Sequence, residues 1–131
     1  NYLNYIPSKH LLVVLDACFG GTFDQALGSS GSRSGLEMYK DVEKDDFIER
    51  KMKYRSRLYL TSGGKEYVPD GRPGMHSPFA RRLICALRDT YSEDGILNMN
   101  EINMYLEKVT QEPKSGEFGT NEPGADFIFI R

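Results

Sequence analysis

An apolar segment near the start of the chain ends in an acid, a cysteine and two glycines. Residues 11–15 are an unbroken run of aliphatic side chains, and Asp16, Cys18, Gly20 and Gly21 follow it. An uninterrupted run of this length predicts a strand buried on both faces, as in a sheet covered by helices. Open α/β sheets place their ligands at the carboxyl ends of such strands. We therefore predict that this strand end carries the chemistry of the protein, with Cys18 as the candidate nucleophile.

Composition limits the classes of protein to consider. The chain has 131 residues, enough for one domain with a proper core, and its formal net charge of -2 argues against binding nucleic acid by bulk attraction to phosphate. No apolar run approaches the roughly 20 residues of a membrane span. Two cysteines, Cys18 and Cys85, and two distant histidines indicate neither a disulfide framework nor a zinc site. This cysteine usage favours a reducing compartment such as the cytoplasm.

The first residues of the chain have the pattern of an internal part of a longer protein. Residues 1–6 have the apolar pattern of a helix end, and no initiating methionine precedes them. We therefore expect the chain to be part of a longer protein, with earlier strands supplied by a preceding segment.

Downstream, the pattern predicts further elements separated by a long polar connection. Residues 22–57 form that connection, which is rich in glycine, serine and charge, with a candidate short helix over residues 47–54. A second strand spans residues 58–61 and runs into Ser62 and two glycines. A connection as long as 22–57 is usually functional or disordered.

Two helices and a last strand complete the prediction. The first helix begins with Ser77 as N-cap and Pro78 at its first position, and its apolar face comprises Phe79, Leu83, Ala86 and Leu87. The second begins at Asn98, with Glu101 completing a capping box. Its apolar stripe is Ile102, Tyr105, Leu106 and Val109, and Pro113 and Gly116 end it. Residues 126–131 form the closing strand.

Four segments, in this order, resemble caspase-like cysteine peptidases of the metacaspase and bacterial caspase-like type. They are residues 12–21 (the nucleophile strand), 58–66 (the next core strand and specificity loop), 74–80 (the opening of a helix) and 124–129 (the closing strand). The resemblance implies a three-layer α/β/α sandwich with a mostly parallel sheet. Residues 1–131 would carry only the C-terminal portion of that domain, from the nucleophile strand onward.

The resemblance also implies an activity. Members of this family are endopeptidases in which a cysteine thiolate attacks the scissile carbonyl and forms an acyl-enzyme that water hydrolyses. Cys18 occupies the nucleophile position. Gly20 and the cysteine itself would offer backbone N–H groups to the oxyanion, and the alternative for the glycines is a tight turn after the strand. No cofactor is implied.

Asp16 bears on which substrate side chain the protein would accept before the cleaved bond. The caspase signature has Gln two residues before the cysteine, whereas this chain has an acid there. In metacaspase-like enzymes that acid lines the S1 pocket, which predicts cleavage after Arg or Lys because a carboxylate pairs with a cation and repels an acid. Glu66 is a candidate second acid of the pocket, and the alternative for Glu66 is a solvated loop charge.

The general base of the family is a histidine roughly 50 residues before the cysteine. His10 lies at the opposite end of the nucleophile strand, and His76 matches a different family motif. We therefore expect the base on a companion N-terminal segment. A pseudo-peptidase acting as an interaction module is the alternative. A second alternative is an unrelated hydrolase or nucleotide-binding fold, although no Lys-Ser/Thr follows the glycines as a P-loop requires.

The long connection suggests two regulatory features. Family members are often processed between these two strands, and the basic residues of the connection make it a self-cleavage candidate: Arg33, Lys40, Lys44, Arg50, Lys51, Lys53, Arg55 and Arg57. It also holds acids that suggest calcium activation, as in some metacaspases: Asp41, Glu43, Asp45 and Asp46. Their spacing matches no EF-hand loop, and a solvated charge run is the simpler interpretation.

Overall fold

The computed structural model describes residues 2–17, 43–63, 73–89, 94–110 and 112–130, in which helices alternate with strands up to a final pair of strands. A single 3-10 turn, Tyr2–Tyr5, precedes the first strand. The other elements are β1 (His10–Leu15), α1 (Lys44–Lys53), β2 (Ser56–Thr61), α2 (Pro78–Asp89), β3 (Ile96–Asn98), α3 (Met99–Leu106), β4 (Lys114–Glu117) and β5 (Ile128–Ile130).

The described strands form two small sheets. The first has the order β1-β2-β4, in which β1 and β2 are parallel and β2 and β4 are antiparallel. The second is the antiparallel pair of β3 and β5. The described part of the chain is therefore a small α/β fold with mixed sheets. The mostly parallel sheet of a caspase-like sandwich stays an expectation for a larger domain.

Burial on both faces belongs to β2 rather than to β1. Every residue of β2 is buried, whereas β1 is only partly covered and Val14 is 41% exposed. The prediction that the first apolar run is buried on both faces is thus wrong for the described part of the chain. The physical reason is that β1 lies at the edge of its sheet there and pairs on one side alone.

The main core lies between the first sheet and helices α2 and α3. Its buried members are Leu58, Leu60, Phe79, Leu97, Met99, Ile102 and Leu106, and Leu12, Leu83, Phe127 and Phe129 pack against them. Most of the predicted apolar faces of both helices point inward, and the exception is Leu87, which is 39% exposed. Phe79 and Ile102 are the central contacts of the two helices, because both are almost fully buried.

Both predicted helix starts are confirmed. Ser77 Oγ accepts a hydrogen bond of 2.9 Å from the Ala80 N–H, the bond expected of an N-cap serine. Asn98 and Glu101 make the reciprocal capping box, with bonds of 3.1 and 2.9 Å. These caps depend on residues three positions apart, which is why the sequence reveals them.

The predicted end of the second helix is wrong. Helix α3 ends at Leu106, and Gly116 lies in β4, opposite Tyr59 of β2. A Cβ on Gly116 would come within 2.6 Å of the Tyr59 hydroxyl oxygen, and Tyr59 is buried. Glycine is therefore present at this strand position because the tyrosine ring occupies the space of a side chain.

The predicted limits of the long connection also need correction. Helix α1 lies within it, close to the candidate short helix, and β2 begins at Ser56, so Ser56 and Arg57 belong to the sheet. Arg57 is completely buried. Its guanidinium donates to four carbonyl oxygens, those of Lys9 (3.1 Å), Ser56 (2.9 Å), Ile6 (3.2 Å) and Ser8 (2.6 Å). Arg57 is thus part of the fold and not an accessible processing site.

The Arg57 side chain links the segment before β1 to the start of β2 through hydrogen bonds. Three of the four carbonyls that it binds belong to residues 6–9, and its own N–H donates to Asn121 Oδ1 at 2.7 Å. Burial, and secondarily the nearby charge of Arg55, lower the pKa of the guanidinium from its usual value. The charge is therefore costly to bury, and the carbonyl oxygens offset that cost.

Candidate active site

The carboxyl end of the parallel pair brings the end of β1 against the end of β2. Leu15 and Thr61 are register partners, and the Ser62 N–H donates to the Leu15 carbonyl at 3.0 Å. The Ser62 hydroxyl donates to the Ala17 carbonyl at 3.4 Å, and Ser62 is completely buried. The residue that precedes Cys18 is therefore tied to a rigid strand end, which suits a catalytic position.

The start of helix α2 meets the same edge. The Ser77 hydroxyl donates to Asp16 Oδ2 at 2.5 Å, while its oxygen accepts the bond from Ala80 that caps the helix. Asp16 itself is exposed to solvent. The positive end of the helix dipole favours a negative charge at this position. One side chain thus joins the carboxylate to the first turn of α2.

The sequence-predicted site residues fall in two groups. Asp16 is described and lies where the strand-end argument placed it, after β1 and beside the end of β2. Cys18, Gly20 and Glu66 lie outside the described residues. The described residues after β2 end at Gly63, which is buried, and Glu66 comes three residues later in sequence.

The two histidines lie in different surroundings. His10 begins β1, and its Nδ1 is 3.3 Å from the Ser56 hydroxyl oxygen. Six residues at the rise of a strand separate it from Asp16 by about 20 Å, as expected from the sequence. His76 is exposed and directly precedes Ser77. His10 is therefore at the wrong end of the strand to activate a nucleophile after Asp16.

Sequence reasoning missed two polar residues of this edge. The sequence pattern identifies Ser62 only as a residue after a strand, and Ser77 only as a helix cap. The signal for Ser62 is its position directly after a buried strand, where chemistry collects in α/β sheets. The contact between Ser77 and Asp16 spans 61 residues, and local sequence pattern carries no signal for it.

A separate cavity of about 370 Å³ begins beside Pro78. It is lined by Pro78, Arg81, Arg82, Cys85, Lys108, Val109 and Thr110. Its charged lining residues are all cations, so it does not suit a basic ligand. It is distinct from the strand edge that carries Asp16.

The structure offers no support for a metal site in the part of the chain that it describes. Within those residues no group of three or more His, Cys, Asp or Glu side chains could hold an ion. Glu43, Asp45 and Asp46 are exposed around the first turn of α1, and Asp41 lies outside the described residues. Over the same residues, no helix is both long and apolar enough to cross a membrane.

A scan of the chain against protein-family models, a search of curated proteins and a search of solved structures each gave no match. Any functional assignment therefore depends on the sequence motifs and on the geometry of the strand edge.

Proposed function

We propose that the chain is the C-terminal portion of a caspase-like cysteine endopeptidase that cleaves peptide bonds after Arg or Lys. One observation carries the proposal. Asp16 follows the end of a strand in a parallel pair and accepts a hydrogen bond from Ser77, the N-cap of α2, and Cys18 comes two residues later. An acid at this place in an α/β sheet is suited to bind a cationic substrate group.

The proposed chemistry is acyl transfer. The Cys18 thiolate attacks the scissile carbonyl carbon, and backbone N–H groups at Cys18 and Gly20 stabilise the oxyanion. Protonation of the departing amine leaves an acyl-enzyme, and water then releases the acid product. Asp16, with Glu66 as a proposed second acid, binds the basic side chain that precedes the cleaved bond.

The proposal places the general base on a companion N-terminal segment of the same protein. Among the described residues, β1 is an edge strand that is only partly covered, with Val14 exposed; this supports the proposal, because exposed edges of apolar strands are usually covered in complete domains. Protein or peptide substrates are the other partners that we propose, with no role for nucleic acid or membrane. We place this activity in the cytoplasm, since the cysteine usage fits a reducing compartment.

The alternative is a pseudo-peptidase that has the same fold and acts as an interaction module. The position of His10, at the far end of β1 from Asp16, favours it, since a protein in which no histidine serves as the base would bind peptides and not cleave them. Turnover of a cleavable peptide separates the two proposals.

A panel of peptides that differ only in the residue before the scissile bond tests the proposed function. We expect kcat/KM for Arg and Lys to exceed that for Asp by on the order of 100-fold or more, because Asp16 attracts a cation and repels an acid. The peptides are assayed with the full protein, including its companion segment. A preference for Asp would refute the role of Asp16, and binding without turnover would favour the pseudo-peptidase.

Self-processing is a second expected result. Arg57 is excluded as a site because it is buried in β2, and several other basic residues lie within α1, where the backbone is not extended. Arg55 is exposed, but its carbonyl accepts the Glu122 N–H at 3.0 Å and the bond after it leads into the buried Ser56 of β2. Arg33 and Lys40 lie outside the described residues, and we expect cleavage after one of these two on incubation. N-terminal sequencing of the products measures it, and the same cut in Cys18→Ala protein would contradict self-processing.

A further inference from the structure

We propose that Ser77 is a positioning residue that orients the Asp16 carboxylate and so favours Arg over Lys in the substrate. The inference rests on the proposed function, because it assigns Ser77 a part in the binding of the basic side chain. The contact that carries it is the 2.5 Å bond from the Ser77 hydroxyl to Asp16 Oδ2.

The second bond of Ser77 determines where its proton points. A serine hydroxyl has one proton to donate and two lone pairs that accept. The Ala80 N–H occupies one lone pair at 2.9 Å, so the oxygen is held at the first turn of α2 and the proton is directed to Asp16. Ser77 is therefore a fixed donor and not a freely rotating hydroxyl.

A fixed donor matters because Asp16 is exposed. An exposed aspartate samples several rotamers, and a substrate that needs one of them must bear the entropic cost of selecting it. The bond from Ser77 restricts the carboxylate before the substrate arrives. One oxygen, Oδ1, has no role in this bond, and Oδ2 keeps a further lone pair for the substrate.

This orientation should affect the two basic side chains differently. A guanidinium binds a carboxylate through two parallel bonds, and this planar fork depends on how the carboxylate is turned. An ammonium group is a compact charge that needs only one oxygen and tolerates rotation. Loss of the Ser77 hydroxyl should therefore weaken the binding of Arg more than that of Lys.

Two substitutions separate positioning from helix capping. Ser77→Gly removes the hydroxyl but keeps most of the N-cap stability, since glycine is itself a favourable N-cap residue. Ser77→Thr keeps a hydroxyl that both donates and accepts. The test measures kcat and KM of the full protein with matched Arg and Lys peptides, together with the rate at which iodoacetamide alkylates Cys18.

We expect Ser77→Gly to lower kcat/KM for Arg by about 10-fold, mostly through a higher KM, and for Lys by about 2-fold, as loss of one bond to a charged group implies. Ser77→Thr should restore both values, and alkylation should be unchanged. An equal loss for both peptides, or a loss only in kcat with slower alkylation, would overturn the inference by indicating a purely structural role.

Failure of this inference is distinguishable from failure of the proposed function. Wild-type protein that cleaves Arg and Lys peptides, with Ser77→Gly unchanged, would overturn the role of Ser77 alone. Wild-type protein that cleaves neither peptide would overturn the proposed function and the positioning role with it.

Discussion

Cys18→Ala is expected to abolish peptide cleavage. Alanine has no group that can attack the scissile carbonyl, so no acyl-enzyme forms, and kcat/KM for an Arg peptide should fall by at least about 10³-fold. The measurement is hydrolysis of that peptide by wild-type and variant protein at equal concentration. Thermal unfolding should show that the variant remains folded.

The other cysteine provides the matched control. Cys85 lies on α2, is partly buried and has a free thiol. It lines the cationic cavity and not the edge that carries Asp16. Cys85→Ala should therefore keep kcat/KM within about twofold of wild type, because thiol reactivity at Cys85 has no part in the reaction. Loss of activity in Cys85→Ala with normal activity in Cys18→Ala would contradict the assignment of the nucleophile.

Arg57→Met is expected to lower the free energy of unfolding by about 1–3 kcal/mol, because it removes four hydrogen bonds from a charged donor, one of them to the buried carbonyl of Ser56. The accepting oxygens belong to residues 6, 8, 9 and 56, so the loss loosens the segment before β1 as well as the start of β2. Chemical denaturation measures the change. Arg57→Lys should cost less, because an ammonium group retains some of the four bonds.

A neighbouring arginine provides the control for charge. Arg55 is exposed and lies just before β2. Arg55→Ala should change the stability by no more than about 0.5 kcal/mol, as is usual for exposed side chains. If Arg57→Met were as stable as Arg55→Ala, the hydrogen bonds of the buried guanidinium would not stabilise the fold as the structure indicates.

Local signals in the sequence were sufficient for part of this fold. The serine and asparagine caps of α2 and α3 were predicted because a cap and its partner are three residues apart. The parallel strand β2 was predicted from its apolar run, apart from its first two residues. The first two residues of β2 were not predicted because Arg57, a charged residue next to a polar segment, indicates a loop. Only the structure shows that Arg57 is buried and bonded to carbonyl oxygens.

Non-local pairing explains what the sequence did not reveal. Strand β4 has the residues Lys-Ser-Gly-Glu, which show no apolar alternation, and it is a strand because β2 pairs with it. Its glycine is required by the ring of Tyr59, 57 residues earlier in the chain. The bond between Asp16 and Ser77 is also a product of tertiary packing. In the candidate site, the position of Asp16 could be predicted from the strand that precedes it, whereas its contact with Ser77 could not.

Covalent labelling with a peptidyl-arginine chloromethyl ketone, followed by peptide mapping by mass spectrometry, tests directly whether Cys18 is the nucleophile and Asp16 binds the basic side chain. A matched peptidyl-aspartate reagent is compared at the same concentration. We expect one label per molecule, on Cys18, with the arginine reagent reacting much faster because Asp16 binds its side chain. Labelling at Cys85, or equal rates with both reagents, would contradict this expectation.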